Sequence, residues 1–280
     1  MIDQLIAPFA DFAFMRRALA AGLIMAVAAA PVGVFLLVRR MSLTGEALSH
    51  GMLPGIAIAF LVAGTSTAAL AFGATAAGLA VAALATLAAR RGREREDAGF
   101  AAFFTIALAL GVVLLSVGGA SADLAHILFG SALGVDAAAL VGIAAAASAT
   151  LLLLACVWPA LVLDAADPAF LASVSRAGPW AHAAFMAGVV LTLAAGFQAV
   201  GTLMSVGLLV LPAAAARLWT QRIEATILVA AAIGAGAVVA GLLGSYHWGA
   251  PSGPCIVLAA GAIYGASLIF SPKRAFAHGA

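Results

Sequence analysis

Nine stretches of about 20 predominantly apolar residues follow one another along the chain, and each can cross roughly 30 Å of hydrocarbon as a helix. They fall at 17–38, 44–63, 67–89, 99–117, 135–158, 180–197, 201–219, 225–245 and 254–270. A helix satisfies its own backbone hydrogen bonds, as a span in lipid must. The expectation is an all-α polytopic membrane protein with about nine transmembrane helices (eight to ten), forming a single domain across 1–280.

Composition agrees. Of 280 residues 65% are hydrophobic and only 9% charged, against about 25% charged in soluble domains; the mean hydropathy is +1.19. The 30 glycines suit spans that pack through small residues, because lipid gives helices no hydrophobic reason to associate. "GAGAVVAGLLG" (234–244), with Gly234, Val238 and Gly241, is one such stretch. A net charge of +2, spread along the chain, argues against nucleic acid as a partner. Cys156 and Cys255 have no metal-binding spacing and read as buried, inert thiols. No basic segment precedes a short apolar core at the start, so a cleavable signal peptide is not expected.

Orientation follows the bias of Lys and Arg toward cytoplasmic loops. Arg90, Arg91, Arg93 and Arg95 in "ARRGREREDAG" put the junction of the third and fourth spans inside. Alternation then places Arg39–Arg40, the region of Arg176, Arg217–Arg222 and Lys273–Arg274 inside as well. "GTST", "GGASADLAH" and "SYHWGAPSG" carry no Lys or Arg and fall outside. Only Arg16–Arg17 disagrees, and the preceding "IDQLIAPFADFAF" suits a short amphipathic helix on the outer surface.

The segment "LDAADPAFLASVSRAGP" (163–179) has too few apolar residues to cross and too many for a plain loop. Asp167 is suited to cap a helix with Pro168 in its first turn, and Gly178–Pro179 reads as the stop. A short helix of about 167–177 lying along the cytoplasmic face is expected; the alternative is a mere connector.

Within "MSLTGEALSHGMLPGIAIAF" (41–60) the second span contains Glu46 and His50. Residues four apart share a helix face. With Thr44 as N-cap and Arg39–Arg40 at the inner interface, His50 lies roughly 10–15 Å into the membrane. A charge at such depth costs at least ~2.5–3.5 kcal/mol on insertion scales, which a divalent cation offsets. Carboxylate plus imidazole is a ligand set for first-row metals, and the lack of thiolate leaves Mn, Fe and Zn open. Pro54 removes the helical donor for the His50 carbonyl, so the span is expected to break beside the pair, as transport sites do. The competing reading is a structural polar pair tying two helices together.

Lys273 is the one lysine, and no G-x-x-x-x-G-K-[ST] motif occurs; if transport is driven by ATP, hydrolysis takes place on another polypeptide. On "RRMSLTGEALSHGMLPGIA", "ILFGSALGV", "DPAFLASVSRAG", "VGTLMSVGLLVLPAAAARL" and "YHWGAPSGPCIVL", the chain resembles, end to end, the membrane subunits of bacterial zinc/manganese/iron ABC importers. The resemblance implies a type II importer-like permease in the bacterial cytoplasmic (inner) membrane, a homodimer with a central pathway. It also implies two cytoplasmic ATP-binding subunits and an extracytoplasmic metal-binding protein. Glu46 and His50 match the family's pathway ligands, with glutamate in place of the usual aspartate. Asp167, Pro168, Ala169, Phe170, Leu171 and Val174 match its ATPase-coupling helix. Ser131 departs from the family's "FGD" or "FGN" and carries no role.

His247 in the outer loop is a further candidate metal contact, set against a surface histidine without a role; His126 is a weaker one. His182 and His278 read as interface and tail residues, Arg217 as a snorkelling anchor, Pro212 as a kink, and Met52 and Met204 as packing. The chain is thus expected to be a transport subunit rather than an enzyme, with no permanent cofactor. The alternative is a self-sufficient secondary metal carrier or channel with Glu46 as a proton-coupled group. A membrane enzyme using His50 as base lacks an accompanying nucleophile.

Overall fold

The computed structural model describes residues 8–92, 96–117 and 134–271. Its helices are α1 (Ala13–Val38), α2 (Ser42–Gly51), α3 (Leu53–Ala63), α4 (Thr67–Gly92), α5 (Glu96–Val117) and α6 (Ala137–Ala166). They continue with α7 (Pro168–Val174), α8 (Gly178–Val200), α9 (Thr202–Trp219), α10 (Ile223–Trp248) and α11 (Ser252–Phe270). No strand occurs among the described residues. Eight segments there are long and apolar enough to span, α2 and α3 counting together as Ser42–Ala63, and Met204–Trp219 of α9 is a shorter apolar helix. The protein is an all-α, multi-pass membrane protein, as expected.

Two boundaries moved. The fifth span was expected to end at 158, but α6 runs on through Pro159 to Ala166, because a proline need not end a helix when neighbouring groups take up the freed carbonyl. Gly178–Pro179 opens α8 instead of stopping the short helix before it; a proline in the first turn lacks only an N–H that would have been unpaired anyway.

The chain packs as two compact units. The first comprises residues 1–37, 127–144 and 196–280. Its central helix is α1, whose span is 72% buried, and small residues explain how neighbours come so close. Gly33 lies against the Leu209 carbonyl of α9, and Val238 of α10 fills the notch at Gly22. Gly241 meets the backbone of Ile256 on α11, so the 234–244 stretch packs as its sequence suggests. Arg217, read as a snorkelling anchor, has a specific partner: Nη1 donates to the Leu37 carbonyl at 2.9 Å, satisfying an orphan acceptor in the last turn of α1. Pro212 sits inside a continuous α9.

The second unit comprises residues 38–126 and 145–195 and carries the features of interest. Here α2 and α3 form one span with a single non-helical residue, Met52, which stays in the right-handed region (φ −77°, ψ −17°). Its N–H points to the carbonyls of Leu48 and His50, which gives the His50 oxygen a donor that Pro54 cannot supply. Pro54 occupies the first turn of α3. Gly55 and Gly73 bring α3 and α4 into backbone contact, each lying where a methyl on the other would strike its carbonyl. Gly111 of α5 closes on Leu53 and Pro54. The break is therefore clamped by two neighbouring helices.

Candidate functional site

The helix that carries Glu46 and His50 begins one turn earlier than a Thr44 cap requires. Met41 is the N-cap and offers no side-chain hydrogen bond, while Thr44 donates its N–H to the Met41 carbonyl at 3.1 Å, inside the first turn. Its hydroxyl is buried and has no partner among the described residues. The sequence rule misplaced the cap because Ser42 and Thr44 both suit that role, while the chain enters from Arg40, whose φ is +60°.

Four residues apart on α2, the two candidate ligands are separated by about 6 Å along the axis and share a face. Glu46 is exposed and His50 half-buried. Glu46 lines a cavity of about 320 Å³ with Leu43, Thr44, Ala47, Phe100, Ala101 and Phe104. The Arg39–Asp164 ion pair lies elsewhere, and no side chain among the described residues hydrogen-bonds the Glu46 carboxylate. The His50 ring stacks at a tilt on Phe104, centroids 5.8 Å apart, and its Nδ1 is buried without a partner. Orphaned buried polar atoms are rare. Glu46 lines the cavity; His50 does not, but its ring packs on Phe104, which does. A carboxylate and an imidazole nitrogen on one helix face are groups that can ligate a cation.

Among the described residues one chain does not complete a metal shell from its own side chains. No group of three or more His, Cys, Asp or Glu able to hold a metal occurs among the described residues, whereas zinc takes four ligands and manganese more. Glu46 and His50 supply two. His247 is exposed in the last turn of α10, edge-on to Tyr246 at 5.4 Å, and belongs to the other compact unit.

The short helix α7 forms as its sequence dictates at the start. Asp167 is extended (φ −150°), and its Oδ1 accepts from the Phe170 N–H at 2.9 Å, with Pro168 in the first turn. It ends earlier than 177: Ser175 is extended, and its hydroxyl accepts from the Ala177 N–H at 3.1 Å. Only Leu171 is buried; Asp167, Pro168, Ala169, Phe170 and Val174 are exposed. Phe170 is 52% and Val174 69% exposed, an apolar face turned outward. A cavity of about 620 Å³ adjoins α7, lined by Asp164, Pro168, Leu171, Arg176, Trp180 and His182 among others.

Sequence reasoning missed one polar cluster in this unit. The Arg39 Nη2 donates to Asp164 Oδ2 at 2.5 Å, with side chains only 7% and 24% exposed. Nη1 lies 3.4 Å from His182 Nδ1, and the guanidinium stands 4.9 Å above the Phe185 ring. Arg39 is thus no mere interface marker, and His182 no isolated interface residue. The available signal was an aspartate inside an otherwise apolar run. Cys255 is buried as expected, but Cys156 is exposed. His126, Ser131, the outer loop 118–126, Arg93, Arg95, Lys273, Arg274 and His278 lie outside the described residues.

Comparison with known proteins converges on one group. The profile of the ABC 3 transport family matches residues 11–271. The manganese import system permease protein ScaB of Streptococcus gordonii is 32% identical over 276 residues, covering 99% of this chain and 98% of that protein. The chelated iron transport system membrane protein YfeD of Yersinia pestis is 30% identical over 264 residues, covering 94% and 87%. Among solved structures, PsaBC from Streptococcus pneumoniae in complex with Fab has a chain that is 31% identical, with a TM-score of 0.85 over 99% of this chain and 98% of its own.

Proposed function

Because the chain belongs to the ABC 3 transport family, we propose that it is the permease subunit of an ABC importer that carries divalent metal ions across the bacterial cytoplasmic membrane. Relatives named for manganese and for chelated iron support a first-row cation; zinc fits the same ligands. The observation that carries the reading is the buried, unpartnered His50 Nδ1 on the same face of α2 as the exposed Glu46, set beside a break that two helices clamp.

The physics of passage follows from these groups. A dication leaves water only where ligands replace its hydration shell, and buried charge is tolerable when paired. Glu46 supplies charge and oxygen; His50 supplies a nitrogen with intermediate softness. Two copies of the chain supply two carboxylates and two imidazoles, which completes a shell that one copy leaves half-filled. A homodimer is therefore the functional unit. The glutamate arm, one methylene longer than aspartate, sets how closely the carboxylate approaches, so selectivity is expected to respond to Glu46→Asp.

Energy comes from a separate cytoplasmic ATP-binding subunit, since the chain has one lysine and no phosphate-binding loop. The exposed Phe170 and Val174 on α7 form its docking surface, and the subunit itself performs no chemistry on substrate. An extracytoplasmic metal-binding protein delivers the ion, with His247 as an outer contact. The test is manganese uptake into proteoliposomes. ATP-dependent accumulation that requires the ATPase subunit and the binding protein supports the proposal. Uptake by the purified chain alone, driven by a pH gradient, supports a secondary carrier instead.

A further inference from the structure

We propose that the part-buried Arg39–Asp164 ion pair is a positioning link that carries movement of the docking helix α7 to the metal-bearing helix α2. This rests on the proposed roles of those two helices.

Both partners stand at the roots of those helices. Arg39 precedes the first residue of α2, Ser42, by three positions; Asp164 precedes the cap of α7, Asp167, by three. In the chain they are 125 residues apart, yet Nη2 and Oδ2 are 2.5 Å apart. A displacement of the α7 root therefore reaches the α2 root through one contact, without passing through the intervening spans.

The contact is built to be stiff. Arg39 is held on three sides, by Asp164, by His182 at 3.4 Å and by the Phe185 ring beneath it. The Arg39 side chain is 7% exposed while Asp164, at 24%, borders the cavity beside α7. The guanidinium is thus the enclosed member, and removing its carboxylate leaves a largely buried charge without that partner. Such a pair moves together or breaks at high cost. A lysine retains the charge but loses the fork and the stacked plane.

The backbone beside it is held under tension. Arg40, with φ +60°, is the one non-glycine residue with positive φ among the described residues. Such a conformation persists where surrounding contacts over-determine it, and here the neighbour it follows is pinned. That strained residue is also the joint between Arg39 and the start of α2, so its conformation sets the direction in which Glu46 and His50 are presented. At the other end, α7 is lightly held: of its seven residues only Leu171 is buried. A helix fastened at its root and free along its face follows whatever grips that face.

The experiment compares wild type with Asp164→Asn, Arg39→Lys and Asp164→Glu in the full complex of permease, ATPase subunit and binding protein in proteoliposomes. Manganese uptake and ATP hydrolysis are read in parallel, with capture of the ATPase subunit as a third measurement. Asp164→Asn is expected to retain the ATPase subunit and to hydrolyse ATP within about twofold of wild type, while manganese moved per ATP falls at least tenfold. Arg39→Lys shifts the ratio in the same direction, and Asp164→Glu restores it. The proposal is overturned if both disrupting variants keep the wild-type ratio, or if hydrolysis and uptake fall together and Asp164→Glu gives no recovery. Should Asp164→Asn fail to assemble, Arg39→Lys decides by the same ratio. A failure of the underlying reading is distinct: the wild-type complex then moves no manganese with ATP, or Phe170→Asp retains the ATPase subunit at full strength.

Discussion

Replacing Gly55 by alanine places a methyl group in steric overlap with the Gly73 carbonyl oxygen and 2.7 Å from the Ala77 Cβ. Carbon atoms in contact sit about 3.5–4.0 Å apart, so α3 and α4 must separate by about 1 Å along their crossing. The obstacle is backbone on α4, which cannot rotate away as a side-chain tip can. Overpacking of this kind costs typically 1–3 kcal/mol, and contact with a rigid carbonyl puts it near 3. Alanine returns about 1 kcal/mol through helix propensity. The net loss is about 2 kcal/mol, or roughly 30-fold in the folded-to-unfolded ratio. Unfolding in mixed micelles of rising denaturing-detergent fraction measures it. Gly236→Ala is the control, since nothing among the described residues lies within 4 Å of its added methyl, and it is expected to lose no stability. Because Gly55 and Gly73 guard the same crossing, the double alanine variant is expected to cost less than the sum of the two singles. Equal stability of Gly55→Ala and Gly236→Ala would refute the close-packed crossing and with it the clamp on the break at Met52.

Two further outcomes concern α7. Asp167→Ala removes the hydrogen bond to the Phe170 N–H and costs about 1 kcal/mol of helix stability; capture of the ATPase subunit is expected to weaken about fivefold, read by titration. Phe170→Asp places a charge in the apolar face of α7 and is expected to abolish that capture while leaving manganese binding by the permease unchanged. Retention of the ATPase subunit by Phe170→Asp assigns docking elsewhere.

The spans were legible because a membrane imposes a length, and runs such as 67–89 and 254–270 return as helices within a few residues of their expected ends. The shared helix face of Glu46 and His50 was legible because spacing by four fixes it, and the Asp167–Pro168 helix start because capping chemistry is local. What sequence could not show depends on distant partners. Arg39, Asp164 and His182 meet across separations of 125 and 143 residues, and nothing local marks Asp164 as paired. Gly55 follows the proline at which a break was expected, and its packing against Gly73 is set by a crossing that no periodicity encodes. Gly178–Pro179 suits a stop or a start equally, and the chain path decides. The fifth span was expected to end at 158, short of Ala166, because the apolar run alone does not show that a helix continues through Pro159.

The identity of the atoms that hold the ion is the point on which transport by this chain depends, and electron spin echo of bound Mn²⁺ reads it directly. Wild-type permease in detergent is expected to show nitrogen modulation from a coordinated imidazole, absent in His50→Ala, with bound manganese falling at least tenfold in Glu46→Gln. Identical spectra and occupancy in wild type and the Glu46→Gln/His50→Ala double variant would place the ion elsewhere and contradict the assignment.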